Sequence, residues 1–312
     1  MTSSKLDQNF AVPERATVRA LHRIVLQWYR KEQRSFVWRA LHPDPYIVLL
    51  SECMLQQTQT ARVEYLLPLF LERFPSVTKL AEAGTAEVIK AWKGLGYNSR
   101  ALRLRECARA IVQQHGGEVP RDAQVLRRLP GIGPYTAHAI AVFAFHADLP
   151  VIDVNIRRVL SRVCVQQKTS IDVLAEPHLT TLALHLHPRG KASEWYQALM
   201  DIGSTYCKAR TPRCGECPVR AACSSANAII EVPRMKRAEP SHRQTPNRIW
   251  KGKVLNLLRE KDEGYSSAQI LRALFDTPLP DDKPWFDYIM QAMSQGGFVV
   301  RDGARWRLKD DK

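Results

Sequence analysis

Four cysteines lie within seventeen residues, in the segment CKARTPRCGECPVRAAC. Cys207, Cys214, Cys217 and Cys223 are separated by six, two and five residues. Zinc ribbons usually pair two C-x-x-C units, and only one such unit is present here. Disulfides are disfavoured in a reducing compartment, whereas four thiolates in one short loop suit a [4Fe–4S] cluster. This chemistry favours a cluster over zinc and leaves both open.

The charge of the chain points to a polyanionic partner. Its 312 residues carry a formal net charge of +15, and most of the excess lies before Ser241. A protein this basic is expected to bind nucleic acid. The sequence has no apolar run long enough to span a membrane, and MTSSKLDQNF lacks the apolar core of a signal peptide. We therefore expect a cytoplasmic, nucleoid-associated protein without a membrane partner.

Helical periodicity dominates the first three quarters of the chain. Apolar residues recur at helical spacing from Val18 to Trp28, and YTAHAIAVFAFHA is apolar enough to form a central core helix. The alternation typical of strands is almost absent up to Ala228. We predict an all-α architecture in which the N-terminal helix packs against the later ones.

The C-terminal part has a different pattern. Residues 224–248 are basic and proline-rich, which is typical of a linker. Residues 249–312 then contain three helical stretches and two alternating runs around Asp302 and Gly303, a hairpin signal. This order predicts a small winged-helix-like α+β domain. Its partner is DNA or a protein, and Asp287 as the one formal charge of PWFDYIMQAMSQ argues against insertion into a groove.

A glycine-rich turn, LPGIGPYTA, opens the predicted core helix. Turns of this kind hold phosphates, because backbone N–H groups and the helix dipole both face them. The turn fits neither the P-loop nor the dinucleotide-binding pattern, since Thr136 replaces the third glycine of the latter.

The cysteine spacing and the LPGIGPYTA turn together resemble the endonuclease III and MutY branch of the helix-hairpin-helix DNA glycosylases, over about residues 15–224. The resemblance implies a two-lobed fold with a [4Fe–4S] loop and a monomer that binds double-stranded DNA containing a mispair or damaged base. It also implies a glycosylase domain over residues 1–223, with a six-helix lobe over about 40–145 and a cluster lobe formed by 15–39 and 146–223.

In this family the hairpin grips a DNA phosphate without reading the base sequence. The resemblance assigns that contact to Gly131, Gly133 and Thr136. It also makes Asp153, in VIDVNIRRV, the catalytic aspartate and Asn155 the residue that orients it. A carboxylate suits that role because breaking an N-glycosidic bond develops positive charge on the sugar. In isolation, Asp-x-Asn would equally indicate a helix N-cap.

Glu52 lies in the apolar segment YIVLLSECML. Burial would raise its pKa and make it a competent general acid, whereas the pattern alone equally allows a solvated glutamate. The string SECMLQQTQ is very like the MutY signature, in which the glutamate protonates adenine. The resemblance then makes Gln56 and Gln57 the residues that enter the duplex and contact the flipped or orphan base.

Two shorter matches suggest further DNA contacts. AWKGLGYNSRA is similar to the GLGY turn of the family and implies that Tyr97 wedges into the base stack. FVWRALHPDPY resembles a strip near the base pocket and implies a role there for Trp38 and Arg39. By themselves, such aromatic residues are expected in a core.

Tyr135 bears on the mechanism. In bifunctional relatives this position holds a lysine whose amine forms a Schiff base with the sugar and leads to strand cleavage. A tyrosine cannot form that bond, so we expect a monofunctional glycosylase.

Three functions are compatible with these residues. The favoured one is excision of adenine mispaired with 8-oxoguanine or guanine. The second is excision of another base, thymine or uracil opposite guanine, and the third is a non-catalytic iron–sulfur DNA-binding protein. MutY proteins usually continue into a Nudix-like domain that recognises 8-oxoguanine. The residues after Arg248 are too few and too different in pattern to form one.

Overall fold

The computed structural model describes residues 11–40, 43–169, 174–232 and 238–310. Residues 233–237 of the expected linker lie outside these ranges. Within them, no helix combines the length and the apolar character that crossing a bilayer requires.

Helices account for nearly all regular structure before the C-terminal region, and this confirms the expected all-α architecture. They are α1 (Arg15–Glu32), α2 (Pro45–Leu55), α3 (Thr60–Arg73), α4 (Val77–Glu82), α5 (Thr85–Ala91), α6 (Ser99–His115), α7 (Ala123–Leu126), α8 (Pro134–Phe145), α9 (Val154–Cys164), α10 (Glu176–His185) and α11 (Ala192–Thr205). Short 3₁₀ turns occur at Val37–Arg39, Cys214–Glu216 and Arg220–Ala222.

The C-terminal region contains three helices and a small sheet, as predicted. The elements are β1 (Ser241–His242), β2 (Thr245–Pro246), α12 (Asn247–Leu258), β3 (Tyr265–Ser266), α13 (Ser267–Leu274), α14 (Asp282–Gln295), β4 (Val299–Asp302) and β5 (Arg305–Leu308). The antiparallel order β3-β5-β4, with a tight turn between Asp302 and Arg305, gives the winged-helix-like pattern.

The expected linker is structured near its end. Strands β1 and β2 pair with each other, with His242 opposite Thr245. The indole of Trp250 donates a hydrogen bond of 2.9 Å to the carbonyl of His242. Because this bond fastens the β1–β2 hairpin to α12, the C-terminal domain begins before residue 249.

The chain divides into two units. The first takes in the described residues of Met1–Val48, Arg121–Arg127 and Gly133–Lys236. In it α1 packs against α11, and the Tyr29 hydroxyl donates to Gln197 across that contact. The N-terminal helix thus lies where we expected it. Helix α8 also belongs to this unit, although the resemblance suggested that residues up to about 145 lie in the other lobe.

The second unit contains Leu49–Pro120, Arg128–Ile132 and Arg237–Lys312. Helices α4 and α6 pack against each other, and their Leu80 and Ile111 are fully buried. The C-terminal domain belongs to this unit because its apolar core includes a residue of α5. Ile89 is fully buried in the same cluster as Trp250 and Phe286.

A substitution at Ile89 tests how much the core shared by α5 and the C-terminal domain contributes to stability. Truncating this buried side chain in Ile89→Ala is expected to cost about 2–5 kcal/mol, because it leaves a cavity in the shared core. Calorimetry should therefore show a lower unfolding temperature. Ile230→Ala is the matched control, since Ile230 is 68% exposed and its truncation should change stability by about 0.5 kcal/mol or less. Equal shifts in both variants would contradict the shared core.

Candidate active site

Asp153 is held at the start of α9 as its N-cap. One carboxylate oxygen accepts the backbone N–H of Ile156 at 2.6 Å, and the other accepts the side-chain amide of Asn155 at 2.9 Å. Asp153 is therefore a helix cap that also accepts a hydrogen bond from Asn155, and the catalytic roles of both residues stay predictions. The carboxylate is fixed by donors on both of its oxygens.

Burial raises the pKa of Asp153 above its usual value, because desolvation disfavours the charged carboxylate. The N–H of Ile156, the amide of Asn155 and the nearby Arg158 guanidinium oppose this shift. A desolvated carboxylate of this kind interacts strongly with positive charge that develops close to it.

Arg158 connects Asp153 to the cysteine loop. Its guanidinium donates to Asn155 Oδ1 at 2.7 Å, to the carbonyl of Gly203 at 2.8 Å and to the carbonyl of Cys207 at 2.5 Å. Asn155 in turn donates to Asp153. Gly203 allows this approach, because a Cβ on it would lie 2.7 Å from the Cβ of Asn155. The first cysteine and the candidate catalytic carboxylate thus share one hydrogen-bonded chain.

The four cysteines of the loop line one cavity together with apolar residues that include Val159, Val163 and Val219, and with Arg162. The guanidinium of Arg162 donates to the carbonyls of Lys208 at 2.8 Å and Ala209 at 2.7 Å.

Among the described residues, no group of three or more His, Cys, Asp or Glu side chains is placed to hold a metal ion. Four thiols that line one cavity are a ligand set compatible with either a [4Fe–4S] cluster or a zinc ion.

The predicted glycine turn joins α7 to α8. Gly131 has a φ of +78°, and a Cβ there would lie 2.9 Å from the Cβ of Arg103, so glycine is required twice over. Gly133 is the N-cap of α8, and Pro134 is its first residue. Tyr135 is partly exposed in the first turn, whereas Thr136 is buried. Contact between DNA and Thr136 would therefore involve its backbone, and the role of these residues stays a prediction.

Glu52 is buried in α2, with 6% of its surface exposed, so it is not a solvated helix residue. Helix α2 ends at Leu55, and the following turn carries Gln56 and Gln57. Gln57 is exposed and has a φ of +59°, a left-handed conformation that non-glycine residues seldom adopt. This strain marks the turn as a functional candidate.

Arg100, which the sequence did not single out, joins that turn to the turn of Tyr97. Its guanidinium donates to the carbonyls of Met54 at 2.8 Å and Leu95 at 2.9 Å, and also to those of Cys53, Gln56 and Gly96. Tyr97 itself is 48% exposed and has a φ of +43°. One arginine thus fixes both exposed turns that the resemblance assigns to DNA contact.

Trp38 and Arg39 both make contacts inside the protein. Trp38 is 6% exposed and stacks on Phe36. Arg39 pairs with the buried Asp201, with bonds of 2.7 and 3.1 Å. These contacts give both residues a structural role, and their participation in DNA binding stays a prediction.

Comparisons with known proteins agree with this geometry. A family model described as HhH-GPD superfamily base excision DNA repair protein matches residues 50–179. An adenine DNA glycosylase of Mycolicibacterium smegmatis is 37% identical over 276 residues, 88% of this chain and 91% of that protein. One of Mycobacterium tuberculosis is 45% identical over 197 residues, 62% of this chain and 64% of that protein. A solved thermostable thymine-DNA glycosylase aligns with a TM-score of 0.61 and 29% identity, over 68% of this chain and 97% of that one.

The fold and the site define a helix-hairpin-helix protein of DNA repair. The chain belongs to the HhH-GPD superfamily of base excision DNA repair proteins. The family resemblance drawn from the cysteine spacing and the glycine turn is thereby confirmed.

The hydrogen bonds of Asp153 predict a measurable pH dependence. Asn155→Ala removes a donor that favours the charged carboxylate, so the pKa of Asp153 should rise further. In a plot of the rate of base release against pH, the fall in rate on the acidic side should then move to higher pH, because only the ionised carboxylate of Asp153 stabilises the cationic sugar. We call this acidic side of the profile the acid limb. At neutral pH we expect the rate to fall on the order of 10–100-fold.

Single-turnover base release measured from acid to neutral pH checks this. The control is Asn227→Gly, at an exposed residue with a φ of +61° that glycine adopts readily. It should leave the acid limb in place. An acid limb that does not move in Asn155→Ala would show that Asn155 does not act on Asp153.

Proposed function

We propose that this protein is a monofunctional adenine DNA glycosylase of base excision repair, which acts on adenine mispaired with 8-oxoguanine or guanine. The observation that carries the proposal is the partly buried carboxylate of Asp153, fixed by Ile156 and Asn155. The buried Glu52 of α2 supports it by offering a general acid, and the names of the relatives favour adenine.

The proposed reaction hydrolyses the bond between C1′ of the sugar and the adenine ring nitrogen. Glu52 gives a proton to the base, and the bonding electron pair leaves with adenine. The sugar then carries positive charge, which Asp153 stabilises until the oxygen of a water molecule bonds to C1′. That water gives up one proton to solvent, and Glu52 takes one up from solvent, so the enzyme returns to its starting state. The products are adenine and an abasic site. The base must leave the stack for this reaction, because its glycosidic bond is inaccessible within the duplex.

Tyr135 supports the monofunctional part of the proposal. A Schiff base at the sugar requires an amine, and the first turn of α8 offers a phenol at this position. The abasic strand should therefore remain intact until alkali breaks it.

We further propose that Cys207, Cys214, Cys217 and Cys223 hold one [4Fe–4S] cluster. When bound, the cluster would cross-link the loop through its iron–thiolate bonds. Arg158 and Arg162, which bind carbonyls of this loop, would then hold α9 in register with it. We also propose that the protein is a monomer and that it acts on double-stranded DNA in the cytoplasm. The excess positive charge of the chain supports DNA as its partner.

A second candidate substrate is thymine or uracil opposite guanine. The likeness to a thermostable thymine-DNA glycosylase favours it, and Tyr135 is compatible with either base. Both candidates use the same carboxylate, so the choice between them depends on the base that is released.

Single-turnover base release tests the proposal. Duplexes with one A·8-oxoguanine, A·G, A·C, T·G or U·G pair are compared with and without alkali. We expect adenine release from the first two and strand breaks only after alkali. Asp153→Asn should slow release by on the order of 10³-fold, whereas Asp302→Asn, at an exposed carboxylate, should have no effect.

Each other outcome has a definite meaning. Preference for T·G or U·G would select the second candidate. Strand breaks without alkali would refute the monofunctional mechanism. DNA binding without release of any base would indicate a non-catalytic protein.

A further inference from the structure

The basic helix of the C-terminal domain is its first one, not its third. Helix α12 carries Arg248, Lys251 and Lys253 and no acidic residue. In α14 the exposed Lys283 pairs with Asp287, and the buried Asp282 binds His242 and Arg243. Because α14 has no excess positive charge, it is poorly suited to enter a DNA groove. Helix α12, which carries only positive charges, is better suited to contact the phosphate backbone.

Arg259 fixes the C-terminal end of α12 to the preceding helices. Its guanidinium donates to the carbonyl of Ile89 at 3.1 and 3.0 Å and to Asn98 Oδ1 at 3.0 Å. Burial lowers the pKa of Arg259 to about 10, so it keeps its charge at neutral pH. Lys90 forms an ion pair with Asp262 beside this contact. Together with the shared core around Ile89, these bonds hold α12 on α5 and on the start of α6.

This attachment brings α12 to the turn of Tyr97. Asn98, which Arg259 binds, follows Tyr97 directly. At the other end of α12, Arg248 lies close enough to Tyr97 for the two side chains to interact electrostatically. The C-terminal end of the basic helix is therefore hydrogen-bonded beside the turn that we expect to wedge into DNA, and Arg248 at its other end lies within electrostatic range of Tyr97.

The basic side chains at the N-terminal end of α12, Arg248 and Lys251, are available to a ligand. The Arg248 side chain is 56% exposed, and its partner Glu239 is 44% exposed. An ion pair this exposed contributes little to stability, so a phosphate can replace the carboxylate at small cost. Lys251, one helical turn further on, is partly exposed and has no ion-pair partner in the described part of the chain.

We propose that α12 is a second duplex-binding surface, on which Arg248 and Lys251 contact backbone phosphates beside the base pair that Tyr97 enters. Two observations select duplex DNA as the occupant: the continuity of α12 with the Tyr97 turn and its uniformly positive charge. The planar fork of an arginine suits two phosphate oxygens, and a lysine supplies a point charge. The inference rests on the proposed function, because that function places DNA at Tyr97.

The salt dependence of DNA binding tests the surface. The double variant Arg248→Gln with Lys251→Gln is compared with the parent in an Asp153→Asn background, on a duplex with one A·8-oxoguanine pair. Each lost phosphate contact should reduce the slope of log K against log salt by about 0.9. The matched control, Arg272→Gln with Lys283→Gln, removes the same charge from exposed positions on α13 and α14.

A slope reduced by roughly 1.8 in the α12 variant and unchanged in the control supports the proposal. An unchanged slope in the α12 variant overturns it, and so does an equal reduction in both variants, which would indicate a general effect of net charge. Base release by the unsubstituted protein is measured in parallel. If it releases no base, the proposed function fails, and the slopes still decide whether α12 binds the duplex.

Discussion

The site depends on three of the hydrogen bonds that the Arg158 guanidinium donates. They join the carbonyls of Gly203 and Cys207 to Asn155, and Asn155 holds Asp153. A partly buried carboxylate has less solvent to keep it ionised and in place, so neighbouring donors contribute to both. Because Arg158 also binds the carbonyl of the first cysteine, the order of the cysteine loop and the orientation of the carboxylate depend on each other.

Other arginines have a similar role in the second unit. Arg100 collects carbonyls from the end of α2 and from the turn before α6, and Arg259 binds a carbonyl near the end of α5. Helix ends leave carbonyls without partners in the helix, and a guanidinium satisfies several of them at once. The exposed turns of Gln57 and Tyr97, both with positive φ, are thereby supported from behind.

The sequence predicted the elements and residues that local chemistry determines. The helix that Asp153 caps, the hairpin near Gly303 and the glycine turn at Gly131 follow from residue types that only certain backbone conformations need. Arg100 and Arg158 could not be found in this way. Their partners come from distant segments, as in the bond between Arg158 and Gly203, 45 residues apart. The i, i+3 spacing of Asn155 and Arg158 was the one local signal.

The account holds that Arg158 acts on Asp153 through Asn155, and a double-mutant cycle tests this directly. Single-turnover adenine release is measured for the wild type, Asn155→Ala, Arg158→Lys and the double variant. Each protein is present at a concentration that saturates the DNA substrate. If the two residues act in one chain, each substitution slows release and the double variant is no slower than the slower single variant. Losses that multiply in the double variant would show that the residues act independently, and would contradict the account.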